Sequence, residues 1–454
     1  MPKVPFAIAT SQARNFKGNN ETLINMYSET MPPTAKSSVV LIGTPGWSLY
    51  TTVENAPIIG MHYFKSDLYV VTKTYIYKVS HTDNLISTVG VVDFSAVDSV
   101  SIADNGINFV VVGGNGYYSD GVTVTQITDI AYYPSDTVTF QDGYFIFNRS
   151  GTNQFFISNL YAVTFDATMY ASAEGSPDNI VGLISVNQRV YIFGTNSIEI
   201  WYNSGDALFP FDRIQGSFAL YGCINYKTIA ATNNTVYWVG NDNCVYTMNG
   251  YTPTKISTAA IEYPLATRGT SDYRAFTYYE EGHYFYVLTI DGKTTYAYDM
   301  ATNLWHTRQS LGGSWGLRNM VVNEKGIWVG ADVSSGNIYH VGLDYHTENG
   351  QTILRTAETS PFGNGIDYFT LNKFEIDMET GKSLENEEDT ISLSFSDDGG
   401  FTFKNEHVIS LGVTGDRKKR IIWRRLGRHR NLTLSITTRC KSMVNIIAAF
   451  ADMS

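Results

Sequence analysis

At 454 residues the chain is too long for one ordinary core, so several domains or a repeat architecture are expected. A hydrophobic share of 43%, with only 17% charged residues, excludes a largely disordered chain. A formal net charge of -11 argues against a surface that binds nucleic acid as a whole, and no run approaches the roughly 18 apolar residues of a membrane helix.

Aromatic residues make up 14%, with 31 Tyr and 24 Phe, and these side chains suit pleated, half-buried strands. The 39 Gly supply the turns that many short strands need, so composition predicts an all-β chain. Cys223, Cys244 and Cys440 form no CxxC pair and are too few for a disulfide framework, and they read as free thiols of a reducing compartment. The first twenty residues lack the apolar stretch of a secretory leader, which predicts synthesis in a cytoplasm-like environment.

Residues 1–55 read as an extended N-terminal segment with turns at Met31-Pro32-Pro33 and Gly43-Thr44-Pro45-Gly46. From residue 56 one pattern recurs: a strand-like run, a tight polar or Gly turn, then a second run rich in Tyr, Val, Ile and Phe. It spans 58–79, 100–121, 138–158, 181–205 and 227–250, with looser copies at 274–308 and 318–342. Taking Asp67, Asn105, Asp142, Gln188, Asn234, Gly282 and Gly326 as turn markers, the steps are about 38, 37, 46, 46, 48 and 44 residues, the size of a four-stranded propeller blade. A small twisted sheet cannot bury both faces alone, but a closed ring of them can. A β-propeller over 56–345 is therefore expected, with six or seven blades and seven favoured. Val190, Ile192, Ile198 and Ile200 share one strand parity, and no amphipathic helix of more than about two turns is expected. Residues 346–454, with strand-like runs at 369–381, 391–403 and 432–439, predict an additional C-terminal β-sandwich-like domain, packed on or completing the propeller.

Chemistry-bearing motifs are few. Ser396, Asp398, Gly400, Thr402 and Phe403 match an Asp-box, the hairpin turn of sialidases, which raises a carbohydrate-binding or glycan-cleaving propeller as the alternative reading. Trp201, Tyr202, Trp305 and Trp315, taken as exposed aromatics, support that alternative. An Asp-box carries none of the arginine, tyrosine and acid groups that such cleavage needs, and it reads as a structural turn closed by its Asp. Glu280-Glu281 and Glu387-Glu388-Asp389 read as solvated turns rather than acid/base pairs. Eight scattered His give no metal-ligand spacing; only His340 and His346 lie close. No catalytic residue, cofactor site or metal site is expected, and the chain reads as a non-enzyme.

One local feature is strongly biased. Arg417, Lys418, Lys419, Arg420, Arg424, Arg425, Arg428 and Arg430 place eight basic residues in fourteen positions without an acidic one. The open readings are a solvated surface balanced by the acidic loop 385–389, a phosphate-facing ring, or an intersubunit surface. Arg outnumbers Lys six to two, which favours fixed bidentate pairing and hence a protein partner.

Asn25-Met26-Tyr27, Gly43-Thr44-Pro45-Gly46, Ser176-Pro177-Asp178, Ile192-Phe193-Gly194 and Ile198-Glu199-Ile200-Trp201-Tyr202 follow one another in an order that resembles a phage family. The ending resembles it too: Asp397-Asp398-Gly399-Gly400, then Arg420, Trp423-Arg424-Arg425-Leu426-Gly427 and Arg430. The family is the packaged-DNA stabilisation proteins, also called tail hub or tail nozzle, of short-tailed (podovirus) bacteriophages. The resemblance implies a structural virion protein that forms a homohexameric ring below the portal and adaptor. Such a ring closes the channel on packaged DNA, conducts double-stranded DNA at ejection, and meets tailspike or needle proteins. It also implies assembly in the host cytoplasm and residence in the virion tail.

Overall fold

The repeat is written in its turns. The computed structural model describes residues 3–4, 6–12, 18–267, 272–311, 313–363, 367–383 and 388–454. Five of the recurring turns place two consecutive residues at positive φ: Lys65/Ser66 (49 and 70°), Asp142/Gly143 (51 and 93°), Asn187/Gln188 (52 and 59°), Asn233/Asn234 (47 and 61°) and Glu281/Gly282 (43 and 90°). That is the hairpin geometry whose twist matches the flanking strands, and Asn, Asp and Gly tolerate it best. The other two turns use an Asn side chain as a clamp. Asn105 Oδ1 accepts the amides of Ile107 and Asn108 at 2.9 and 2.7 Å, and Asn323 Oδ1 accepts those of Lys325 and Ile327, both at 2.9 Å.

Each such turn joins the first two strands of a four-stranded antiparallel sheet. Five such sheets stand alone among the described residues, and the four-stranded units of blades 6 and 7 run on through shared strands into the second unit, so the propeller has seven blades. Their first strands are Gly60–Phe64, Ser101–Asp104, Val138–Gln141, Ile180–Val186, Ala230–Thr232, Arg274–Glu280 and Leu317–Val322. Blade 7 takes its outer strand from far upstream: Gly46–Thr52 pairs antiparallel with Asn337–Gly342 and so locks the ring. Apolar side chains fill each blade interface. Ile59, Phe64 and Val71 meet Phe109 and Val111 between blades 1 and 2, and Met61 and Val70 meet Val329 and Ile338 between blades 1 and 7. Second strands such as Phe109–Gly113 are therefore buried along their whole length. One nine-residue helix, Ala259–Thr267, leads into blade 6 and slightly exceeds the two turns expected from sequence.

The second unit is a sandwich of two sheets. One runs Ile421–His429, Phe369–Met378, Asn445–Met453, Val39–Gly43, Met26–Thr30; the other runs Lys404–Ser410, Thr390–Ser396, Thr433–Cys440, Gln351–Glu358, Asn20–Ile24. Leu23, Met26 and Leu41 join Phe374, Ile391, Trp423 and Leu434 in the core between them. The N-terminal residues are thus strands laced through both domains. Asn20–Ile24 also touches the outer strand of blade 6, with Ile24 beside Thr307 in parallel register.

Candidate functional site

The basic run lies on an open sheet edge. Arg417, Lys418 and Lys419 occupy the loop before Ile421–His429, which is the edge strand of its sheet. Ile421, Trp423, Leu426 and His429 are buried, while Arg424, Arg425 and Arg428 are exposed. A bulge breaks the alternation: the register slips between the Leu371–Gly427 and Lys373–Arg424 pairs, with Arg425 at φ 58° and Gly427 at φ 111°. Its effect is to turn two consecutive arginines to solvent. Arg420 is bidentate to Glu375 at 2.7 and 2.8 Å, and the Arg428 guanidinium lies 4.8 Å from the Tyr368 ring centre. Arg417, Lys418, Lys419, Arg424, Arg425 and Arg430 have no ion-pair partner among the described residues.

The acidic loop does not balance this charge where it is described. Asp389 is buried and accepts the Lys441 amide at 2.9 Å and the Ser442 hydroxyl. Residues 385–387 lie outside the described residues.

The Asp-box closes the hairpin between Thr390–Ser396 and Lys404–Ser410. Asp398 accepts the amides of Phe401 and Thr402, both at 3.0 Å, and the hydroxyls of Ser396 and Thr402, both at 2.6 Å. Those hydrogen bonds hold its carboxyl well below the ordinary carboxylate range. Gly400 sits at φ 93° and donates its amide to Ser396 Oγ at 2.9 Å, while Phe403 follows the turn half-buried. Asp397 bonds His429 Nδ1 at 2.6 Å, which ties this turn to the end of the basic strand. The two motifs, read separately in the sequence, are neighbours.

Three of the four aromatics invoked for a sugar surface are not available to one. Trp201, Trp305 and Trp315 are 8%, 2% and 1% exposed, and only Tyr202 is open. They are packing residues: Trp201 meets Phe155 with ring centres 4.9 Å apart, Trp305 donates to the Ile256 carbonyl, and Trp315 lies under the Arg308 guanidinium at 4.0 Å. Their flanking Gly, Ser and Asn residues resemble loop sequence, which conceals that burial. Among the described residues no three His, Cys, Asp or Glu gather as metal ligands. A groove of about 420 Å³ lies between blades 6 and 7 beside Glu280, Glu281, Trp328 and His340. Glu280 accepts the Leu343 amide at 3.4 Å, and burial raises its pKa.

The propeller axis is bridged by charge. Asp98, before blade 2, pairs with Lys227, before blade 5, and takes the Arg318 guanidinium of blade 7 on its carbonyl. Its carboxylate lies 3.8 Å from the same guanidinium. Blades 2 and 5 are three steps apart in the ring, so these residues meet only across the axis. The partners stand 129 and 220 residues from Asp98, a separation that leaves no local sequence signal.

The domain joint uses the sequence signature directly. Asn25, at φ 55°, donates its amide to the carbonyls of Gln309 and Leu354 at 2.8 and 2.9 Å, and its Oδ1 accepts the Gln309 amide at 2.9 Å. One side chain thereby joins blade 6 to the sandwich. Arg308 and Arg355, each 1% exposed, donate to the carbonyls of Pro45 and Thr44 at 3.1 and 3.2 Å. Gly43 has no side chain because a Cβ there would meet Arg355 Nε at 2.6 Å. Burial pulls Arg355 down to about 10.

Burial likewise pushes Glu348 up to about 7, against a Ser310 hydrogen bond and the two arginines, which pull it down. Unfolded, Glu348 gives up its proton near the ordinary 4.5, so between pH 4.5 and 7 the folded chain holds more protons and loses stability as pH rises. Glu348→Gln should remove about 2 kcal/mol of that decline. Urea melts at pH 5 and pH 7.5 on both proteins check it. His306, held down to about 3 by burial, titrates in both and cancels in the comparison. Equal pH slopes in the two proteins would contradict the assignment.

Fold and surfaces together define a two-domain all-β protein, propeller and sandwich, whose conspicuous features are surfaces and a joint. Residues 3–346 match the family described as bacteriophage P22 Gp10, β-propeller, and residues 356–454 match its β-sandwich counterpart. The chain belongs to the bacteriophage P22 Gp10 family, and with it to the structural proteins of phages. A comparison with curated proteins gives no match. Among solved structures the chain is similar to the WD40 β-propeller domain of Doa1 (11% identity, TM-score 0.44, covering 65% of this chain and 96% of that one). It is similar to a streptogramin B lyase (11%, 0.44, 66% and 97%) and to the Neurospora crassa Pan2 WD40 domain (10%, 0.40, 63% and 89%).

Proposed function

We propose that this chain is a tail hub or nozzle protein of a short-tailed phage. Copies form a ring, a homohexamer, below the portal and adaptor. The ring retains packaged DNA, conducts it at ejection, and offers its outer loops to tailspike or needle proteins. Assembly takes place in the host cytoplasm and the finished protein resides in the virion tail. The observation that carries this reading is the family match over both domains, and the bridged propeller axis bears on where the channel would run. With Asp98, Lys227 and Arg318 across its centre, one propeller is no conduit, so a DNA channel must run between copies. A net charge of -11 then favours a lumen along which DNA slides without sticking. A stiff propeller with variable loops suits a ring wall. The carbohydrate reading keeps only Tyr202 of its four aromatics, and the Asp398 hydrogen bonds close within the turn.

Negative-stain imaging of the purified chain mixed with portal–adaptor rings tests the proposal. Sixfold complexes are expected, and isolated monomers in every mixture would rule the reading out.

A further inference from the structure

Charge is segregated between the two ends of the molecule. Residues 79–226, from the outer strand of blade 1 through blade 4, hold 14 Asp or Glu against 3 Lys or Arg. Asp98 lies at the axis and Asp178 and Glu199 are buried, but the remaining eleven still outnumber the three cations. Residues 417–430, by contrast, hold eight basic residues and no acidic one. The joint engages blades 6 and 7 through Asn25, Arg308 and the strand Gly46–Thr52. In a ring of seven, blade 3 is three steps from both, so the acidic rim lies opposite the sandwich.

Both surfaces combine charge with exposed apolar side chains. The outer strands of blades 3 and 4, Phe165–Ser172 and Phe211–Arg213, and the loop before the latter expose Asp166, Asp206 and Asp212. None of the three has an ion-pair partner among the described residues. Leu208 stands beside them at 86% exposure. On the sandwich, the edge strands Lys404–Ser410 and Ile421–His429 are linked by the Trp423 indole donating to the His407 carbonyl at 2.9 Å. They carry exposed Val408, with Val413 in the loop between them at 74%. Apolar contacts ringed by charge and rich in Arg are the composition of protein interfaces.

We propose that copies of this chain join head to tail, the basic sandwich edge of one copy seating on the acidic outer rim of blades 3 and 4 of the next. The proposal rests on the ring reading and names its contact. A phosphate surface would answer the basic edge but leave the acidic, apolar rim uncovered, whereas a second copy answers both. Contact between unlike patches at opposite ends of one body is heterologous, and it closes into a ring when its rotation divides the circle. The bulge turns Arg424 and Arg425 outward and the Tyr368 ring steadies Arg428, which leaves these three for fixed pairing while Arg420 is already taken by Glu375.

The test uses the purified full chain in three forms: Arg424→Glu/Arg425→Glu/Arg428→Glu, Asp206→Lys/Asp212→Lys, and the two sets combined. Sedimentation velocity should show each set weakening self-association by roughly 100-fold, with the combination recovering at least about tenfold. Matching thermal melts verify that each variant is folded. A zero-length carbodiimide applied to mixed ¹⁵N-labelled and unlabelled wild type should link Lys418 or Lys419 of one copy to Asp206 or Asp212 of another, independently of any variant. Unchanged assembly by either set, or no recovery on combining them, overturns this contact while leaving the ring reading intact. Loss of double-stranded DNA binding with assembly unchanged would give the basic edge to phosphate instead. Wild type that stays monomeric even with portal–adaptor rings would remove both proposals.

Discussion

Gly46→Val should cost about 3 kcal/mol or more, while Gly342→Val, its rung partner in the same ladder, should cost less than about 1 kcal/mol. A Cβ on Gly46 would stand 2.2 Å from the Thr347 carbonyl oxygen and 2.8 Å from its backbone carbon and nitrogen. All three are main-chain atoms in the link between the domains, and none can swing away as a side chain could. Gly46 is also pinned by its own amide, which donates to the Tyr345 carbonyl at 2.7 Å. At Gly342 a Cβ would meet nothing within 4 Å, and Val suits a strand. Urea denaturation of the two variants beside wild type decides the matter. Equal losses would mean that the close approach at Gly46 is not what selects glycine there.

This position also marks where sequence reading stops. Gly43-Thr44-Pro45-Gly46 has the composition of a turn and was expected to be one, yet its carbonyls hold two buried arginines from different domains. The hairpin turns were legible because their preference is local: two residues at positive φ favour Asn, Asp or Gly, which fill at least one of the two positions in four of the five turns, Lys65-Ser66 being the exception. Blade 7 was legible through Gly326 but not as a closed sheet, because its fourth strand lies almost 300 residues upstream and pairing over that distance imposes no period. The basic run was conspicuous because its charges are consecutive. Its acidic counterpart was not, because Asp166, Asp206 and Asp212 are single residues on separate strands and turns that only the folded ring brings onto one rim. The axial bridge follows the same rule, since Asp98 and Lys227 acquire meaning only when seven blades close.

A chain beginning at Val53 should fail to form either domain as a cooperative unit. The deleted residues read as an extended segment with turns in sequence, but they carry Leu23, Met26 and Leu41 into the sandwich core, and Tyr27, Val40, Ile42 and Trp47 into the cluster shared with blades 6 and 7. Burial of seven such side chains is worth about 10–20 kcal/mol, against a net stability of about 5–15 kcal/mol for a folded domain. The deletion also removes whole ladders. Asn20–Ile24 covers the edge of Gln351–Glu358, Val39–Gly43 pairs with Asn445–Met453, and Gly46–Thr52 is the outer strand of blade 7. Without that last strand the ring has a three-stranded blade whose backbone groups face water, and the ladder that ties its last blade to the chain's beginning is lost, leaving side-chain packing such as Met61 and Val70 on Val329 and Ile338. The sandwich loses the inner neighbours of two strands at once, so neither unit can compensate for the other. Circular dichroism and size exclusion should show an expanded or aggregated product with no sharp melt. A truncated chain that melted in one transition at the wild-type temperature would mean that the N-terminal strands are ornament, and that the two domains stand without the thread that runs through both.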